Sequence, residues 1–75
     1  MIFLRFDDGE SDRLINLQHV ITMAEQAGAL MVLTIDGQTH MLPCSMRGFL
    51  KKMAITTVGA AGYAVVDLGE SDEKA

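Results

Sequence analysis

Apolar and polar positions alternate at the start of the chain. Ile2, Leu4 and Phe6 share one parity and Phe3 and Arg5 the other, which is the period of a strand with two distinct faces. Asp7-Asp8-Gly9-Glu10-Ser11-Asp12 interrupts this pattern with a polar, turn-forming break. Arg13 to Leu17 reads as a short second strand, and Asn16 to Val20 as a turn into a third over Val20 to Ala24. Glu25-Gln26-Ala27-Gly28 is a connection in which Gly28 is free to take a positive φ. Ala29 to Ile35 is a further strand, ended by Asp36-Gly37, a strong hairpin signal. A two-residue type I′ turn there sets Ile35 opposite Gln38, Thr34 opposite Thr39 and Leu33 opposite His40. It also sets Val32 opposite Met41 and Met31 opposite Leu42.

Pro43 has no N–H to give to a ladder and ends that strand. Ser45 or Cys44 can cap a helix, along which Met46, Phe49, Leu50 and Met53 form an apolar stripe. Lys51 and Lys52 fall in its last turn, where they complement the helix dipole. Gly59-Ala60-Ala61-Gly62 is a bend, and Tyr63 to Leu68 reads as a last strand. The pattern predicts an α+β domain over residues 1–69. It consists of one mostly antiparallel sheet of about four to five strands with one amphipathic helix on one face. Residues 70–75 form a polar tail that frays.

Several strands are apolar at consecutive positions: Ile2-Phe3-Leu4, Leu30-Met31-Val32-Leu33 and Val65-Val66. One helix covers one face of a sheet, so the second face needs a partner. The expectation is a homo-oligomer, most simply a two-fold dimer; the competing reading folds the C-terminal segment over that face. Length sharpens the point. A chain of 75 residues buries a marginal core, and its one cysteine, Cys44, cannot form an internal disulfide. Residues that could line such an interface, or a pocket, are Phe3, Met31, Leu33, His40, Phe49, Tyr63 and Val65.

Charge narrows the partners. Six cations against ten acids leave the chain at −4, the wrong balance for neutralising phosphates, so no nucleic-acid partner is expected. No apolar run approaches the roughly 18–20 residues of a membrane span. Met1-Ile2-Phe3-Leu4-Arg5 lacks the order of a signal peptide, and the reading is cytoplasmic.

Candidate chemistry is sparse. His19, His40 and Cys44 are the soft metal ligands, too few and too irregularly spaced for a zinc site. Cys44 or Ser45 at a helix start with His40 nearby is a geometrically allowed nucleophile and base, but no third group orients them. Packing and capping account for these residues more simply. The four carboxylates of Asp7 to Asp12 are too short a run for an EF-hand loop. No glycine pattern matches a dinucleotide or phosphate loop, so no cofactor is expected.

The run from Ile15 to Met53 (Ile15-Asn16-Leu17-Gln18-His19-Val20, then Asp36-Gly37, then Phe49-Leu50-Lys51-Lys52-Met53) resembles LytTR-type domains and small flagellar FlbD-like proteins, over about half the chain. The first resemblance implies DNA binding, which the acidic balance opposes. The function expected from the residues is a small non-enzymatic, self-associating interaction or regulatory module. The alternative is a small-molecule-binding module with its pocket between helix and sheet or at a dimer interface.

Overall fold

Six strands and one helix follow the predicted order in a computed structural model that describes residues 1–70. They are β1 (Ile2–Asp7), β2 (Asp12–Asn16), β3 (Val20–Gln26), β4 (Ala29–Thr34), β5 (Thr39–Leu42), α1 (Met46–Ala54) and β6 (Ala64–Glu70). A single 3-10 turn, Leu17–His19, joins β2 to β3 and is capped by the Asn16 side chain. The fold class is α+β and mostly antiparallel, as expected; three of the four strand pairings are antiparallel. Residues 71–75 of the expected tail lie outside the described residues, and residue 70 ends β6.

The strands do not form one sheet. They form two of three strands each: an N-terminal sheet ordered β2-β1-β6 and a central sheet ordered β3-β4-β5. Each contributes one face to a shared core. Leu4 and Phe6 of β1 and Val66 and Leu68 of β6 meet Leu30 and Val32 of β4 and Leu42 of β5, with Phe49 of α1 added. Leu4, Phe6, Leu30, Val32 and Leu42 are fully buried. Side-chain burial alternates along β1 and β4, so each strand keeps one face out of the core. The premise of one sheet half covered by one helix is thereby replaced, because the two sheets cover one another.

β1 is central in its sheet, antiparallel to β2 and parallel to β6. Near the start of β6, the Ala64 N–H donates to the Met1 carbonyl at 3.0 Å. At the far end the β1–β6 register shifts by one residue at Gly69, whose φ is +90°. Asp67 Oδ1 accepts the Gly69 N–H at 2.9 Å and fixes that bulge.

The helix bridges the sheets. Ser45 caps it, its Oγ accepting the Gly48 N–H at 3.0 Å. Glu25 at the end of β3 accepts the Met46 N–H at 2.8 Å, and Lys52 Nζ in the last turn donates to the Asp67 carbonyl of β6 at 2.6 Å. Phe49 enters the core with Met46 and Met53 beside it. Leu50 does not follow them. It is 57% exposed, so the inward stripe is narrower than the sequence pattern implies.

The two hairpins of the central sheet differ. Ala27 and Gly28, both at positive φ, make the two-residue β3–β4 loop between the paired residues Gln26 and Ala29, the geometry of a type I′ turn. At Asp36-Gly37 the expected type I′ turn does not form. The Gly37 N–H donates to the Thr34 carbonyl (2.9 Å), and only Gly37 of the loop has positive φ, at +83°. Negative φ at Ile35 and Asp36 makes this a type I turn followed by a left-handed glycine, a three-residue loop. Asp36 Oδ1 stabilises it by accepting from Thr34 Oγ1 (2.5 Å) and the Gln38 N–H (3.1 Å). The register slips by one residue: Leu33 faces Thr39, Val32 faces His40, Met31 faces Met41 and Leu30 faces Leu42. A slip of one turns every β5 side chain over. Leu42 and His40 point inward, and Met41 and Thr39 outward.

This register is testable by cross-linking. In a Cys44→Ala background, Met31→Cys with Met41→Cys is expected to oxidise to an intramolecular disulfide, since directly opposed residues meet the required separation. Met31→Cys with Leu42→Cys places the thiols on opposite faces and is expected to stay reduced, read by mass under non-reducing conditions. Packing is testable too. Leu30→Ala is expected to lower the unfolding free energy by about 3 kcal/mol. Leu50→Ala is expected to change it by less than about 1 kcal/mol, both from urea midpoints.

Candidate functional site

The seven residues proposed to line an interface or pocket do not converge on one site, though Phe3 and His40 border the same cleft. Phe3, Tyr63 and Val65 belong to the outer side of the N-terminal sheet, where Phe3 pairs with Val65 across the ladder. Phe3 also meets the Tyr63 ring edge-on at 6.4 Å. Met31 and Leu33 lie on the outer face of the central sheet. His40 faces inward beside Phe6, ring centroids 6.1 Å apart and nearly perpendicular. Phe49 is a core residue, 6% exposed.

Three surfaces of different chemistry result. The outer face of the central sheet comprises Thr22 and Ala24 of β3, Met31 and Leu33 of β4, and Thr39 and Met41 of β5, paired as rows across the sheet. None of these is charged. Met41 is 46% exposed, and Ile21, displaced at a bulge in β3 on the opposite edge of the sheet, is 60% exposed. The sequence reading missed Met41, because the predicted register turned it inward. Ile21 was missed because nothing in Val20-Ile21-Thr22 announces a bulge.

The second surface is a cleft of about 530 Å³ between β2 and the β4–β5 loop. Phe3, Leu14, Ile15 and Asn16 line one side, and His19, Thr34, Ile35, Asp36 and His40 the other. It brings together the two histidines, which lie twenty-one positions apart in the sequence. No three His, Cys, Asp or Glu side chains gather at a metal-binding spacing among the described residues.

The third surface is ionic. On the outer side of the N-terminal sheet Arg5 lies between Asp12 and Asp67, bonded to both, with its Nη1 3.0 Å from Asp67. The acidic turn Asp8 to Ser11 is internally satisfied. Asp8 accepts the N–H groups of Glu10 (2.9 Å) and Ser11 (3.0 Å) and pairs with Arg13 Nε at 2.5 Å. Those backbone donors, with Arg13, pull the Asp8 carboxyl down to about 2.

The nucleophile reading loses its geometry here. Ser45 spends its hydroxyl on the helix cap, and Cys44 packs against the core, where burial pushes its thiol up rather than toward a thiolate.

Asp8 carries a pH dependence. Its carboxyl sits below its ordinary 3.8 in the folded chain, so only the ionised form favours folding. That contribution is complete above 3.8 and disappears as pH falls through about 2. The urea midpoint is expected to drop across this window. Asp8→Asn is expected to lower the midpoint at neutral pH and flatten the acid drop.

Compared with known proteins, the chain matches no family model, and no curated protein or solved structure matches it either. The resemblances over Ile15 to Met53 therefore gain no support, and function rests on the surfaces above.

Proposed function

We propose that this chain is a non-enzymatic interaction module of the cytoplasm that pairs with a second copy of itself through the outer face of β3, β4 and β5. The observation that carries this reading is the chemistry of that face. It presents Met31, Leu33 and Met41 with no charged side chain among its paired residues, in a chain whose residues are 21% charged. An uncharged apolar patch of this kind is costly to leave in water and is typical of protein contact surfaces. Methionine suits it, since its flexible thioether adapts to a partner's contour.

Association through the edges at β2, β3 and β5 is less favoured. β3 is bulged at Ile21, β5 is four residues long, and β2 opens with Asp12 and Arg13. Bulges, short strands and charges are the features that keep edges from pairing. A two-fold axis through the central sheet would set the Met31–Met41 row of one copy on that of the other, a self-complementary contact. Nucleic acid is a poor partner, because Arg5 and Arg13 are already neutralised within the chain.

Light scattering across a concentration series tests this. A dimer is expected for the natural chain. Met41→Glu, which buries two like charges at the axis, is expected to give a folded monomer, checked by far-UV circular dichroism. A natural chain that stays monomeric at every concentration defeats the reading.

A second reading is favoured by the cleft that gathers His19, His40 and Asp36, a volume suited to a small polar ligand. It predicts a ligand-dependent rise in melting temperature that His40→Ala removes.

A further inference from the structure

The helix carries a surface that the proposed dimer face does not use, and of its residues only Met46 also packs against the core. Met46, Leu50 and Ala54 are spaced four apart and form one line along α1, with Arg47 and Lys51 one residue round from it. With Glu25 these side chains bound a groove of about 550 Å³. Leu50 at its centre is 57% exposed, and Ile55, just past the helix, is 81% exposed. Leu50 is set among Met46, Ala54, Arg47 and Lys51 in an open, shallow groove, so it belongs to a patch and is not an isolated surface leucine.

The cations beside it are what identify the occupant. Arg5 and Arg13 are held in ion pairs, and Lys52 donates to the Asp67 carbonyl. Arg47 and Lys51 make no ion pair or side-chain hydrogen bond among the described residues. Among the described residues, side-chain positive charge without an internal partner is thus concentrated on this one helix face, in a chain with net charge −4. A ligand that is acidic only in general is repelled by the molecule as a whole. One that sets carboxylates against Arg47 and Lys51 while placing an apolar residue over Leu50 is held by both.

We infer that the groove along α1 docks an acidic amphipathic peptide segment of another protein. An apolar side chain of the segment fills the space over Leu50, and its carboxylates pair with Arg47 and Lys51. Arg47 presents the planar fork that binds a carboxylate through two parallel hydrogen bonds, and Lys51 supplies a point charge one turn further on. Spacing of four on the helix matches the spacing at which a helical partner repeats its own side chains, so a helix laid in the groove can satisfy both cations. The inference rests on the reading of the chain as an interaction module, but it uses a different surface from the dimer contact.

The test uses the full chain and a fluorescein-labelled amphipathic peptide of glutamate and leucine, read by anisotropy, with a lysine and leucine peptide of the same pattern as control. The glutamate peptide is expected to bind and the control not to, with affinity falling as salt is raised. Lys51→Glu is expected to weaken binding about tenfold, the scale of one lost charge-assisted contact. Arg47→Glu with Lys51→Glu is expected to reverse the preference toward the lysine peptide. Leu50→Glu is expected to abolish binding of the glutamate peptide while far-UV dichroism stays unchanged. Equal binding of both peptides, or full binding by Leu50→Glu, overturns the inference, as does displacement of the glutamate peptide by an oligonucleotide. The Met41→Glu chain is expected to bind the peptide as the natural chain does. Loss of dimerisation with retained binding, or the reverse, therefore tells the two readings apart.

Discussion

Everything else in this structure depends on two small sheets burying one face each against the other. Leu4 and Phe6 on β1 have no water contact because Leu30, Val32 and Leu42 lie across from them, and those residues are dry for the same reason. The helix adds Phe49 to that core, with Met46 and Met53 packed beside it. In a chain of 75 residues there is room for one such core, so loss of any large member removes a substantial share of a small total. The parallel pairing of β1 with β6 makes the arrangement a unit. It joins the first strand to the last, so the N-terminal sheet is completed only when the whole chain is in place.

Since the inner faces satisfy each other, function falls to what remains outside, and the charges divide that surface. The N-terminal sheet carries an ion-pair lattice in which Arg5 is shared by Asp12 and Asp67. The turn beyond it is acidic but closed on itself through Asp8. The central sheet turns outward paired residues with no charge, and the helix turns outward cations with no internal partner among the described residues. These are different kinds of surface, suited to a like copy in one case and to an acidic segment in the other.

A three-residue loop decides which side chains are offered. The apolar pattern of β4 could not choose between registers, because Leu30 and Val32 on one face are matched by Met31 and Leu33 on the other. The choice was made by Asp36, whose carboxylate holds Thr34 and Gln38 and thereby seats a type I turn ahead of Gly37. Turning β5 over exchanged His40 and Leu42 for Thr39 and Met41 on the outer face. That exchange explains why His40 borders a cleft with Asp36 and not the proposed contact.

The sequence by itself determined the elements that rest on local physics. The alternation in Ile2 to Phe6, the break at Asp7 to Asp12, the stop at Pro43 and the Ser45 cap all act within a few residues of themselves. Each is where the pattern places it. Tertiary structure decided the division into two sheets, since a strand's periodicity states which face is apolar but not what covers it. It decided the parallel partner of β1, which lies some sixty residues away along the chain, beyond the reach of any local signal. It also decided the exposure of Leu50. The helix presents Leu50 and Phe49 about 100° apart, and only the position of the sheets beneath determines which of the two is buried.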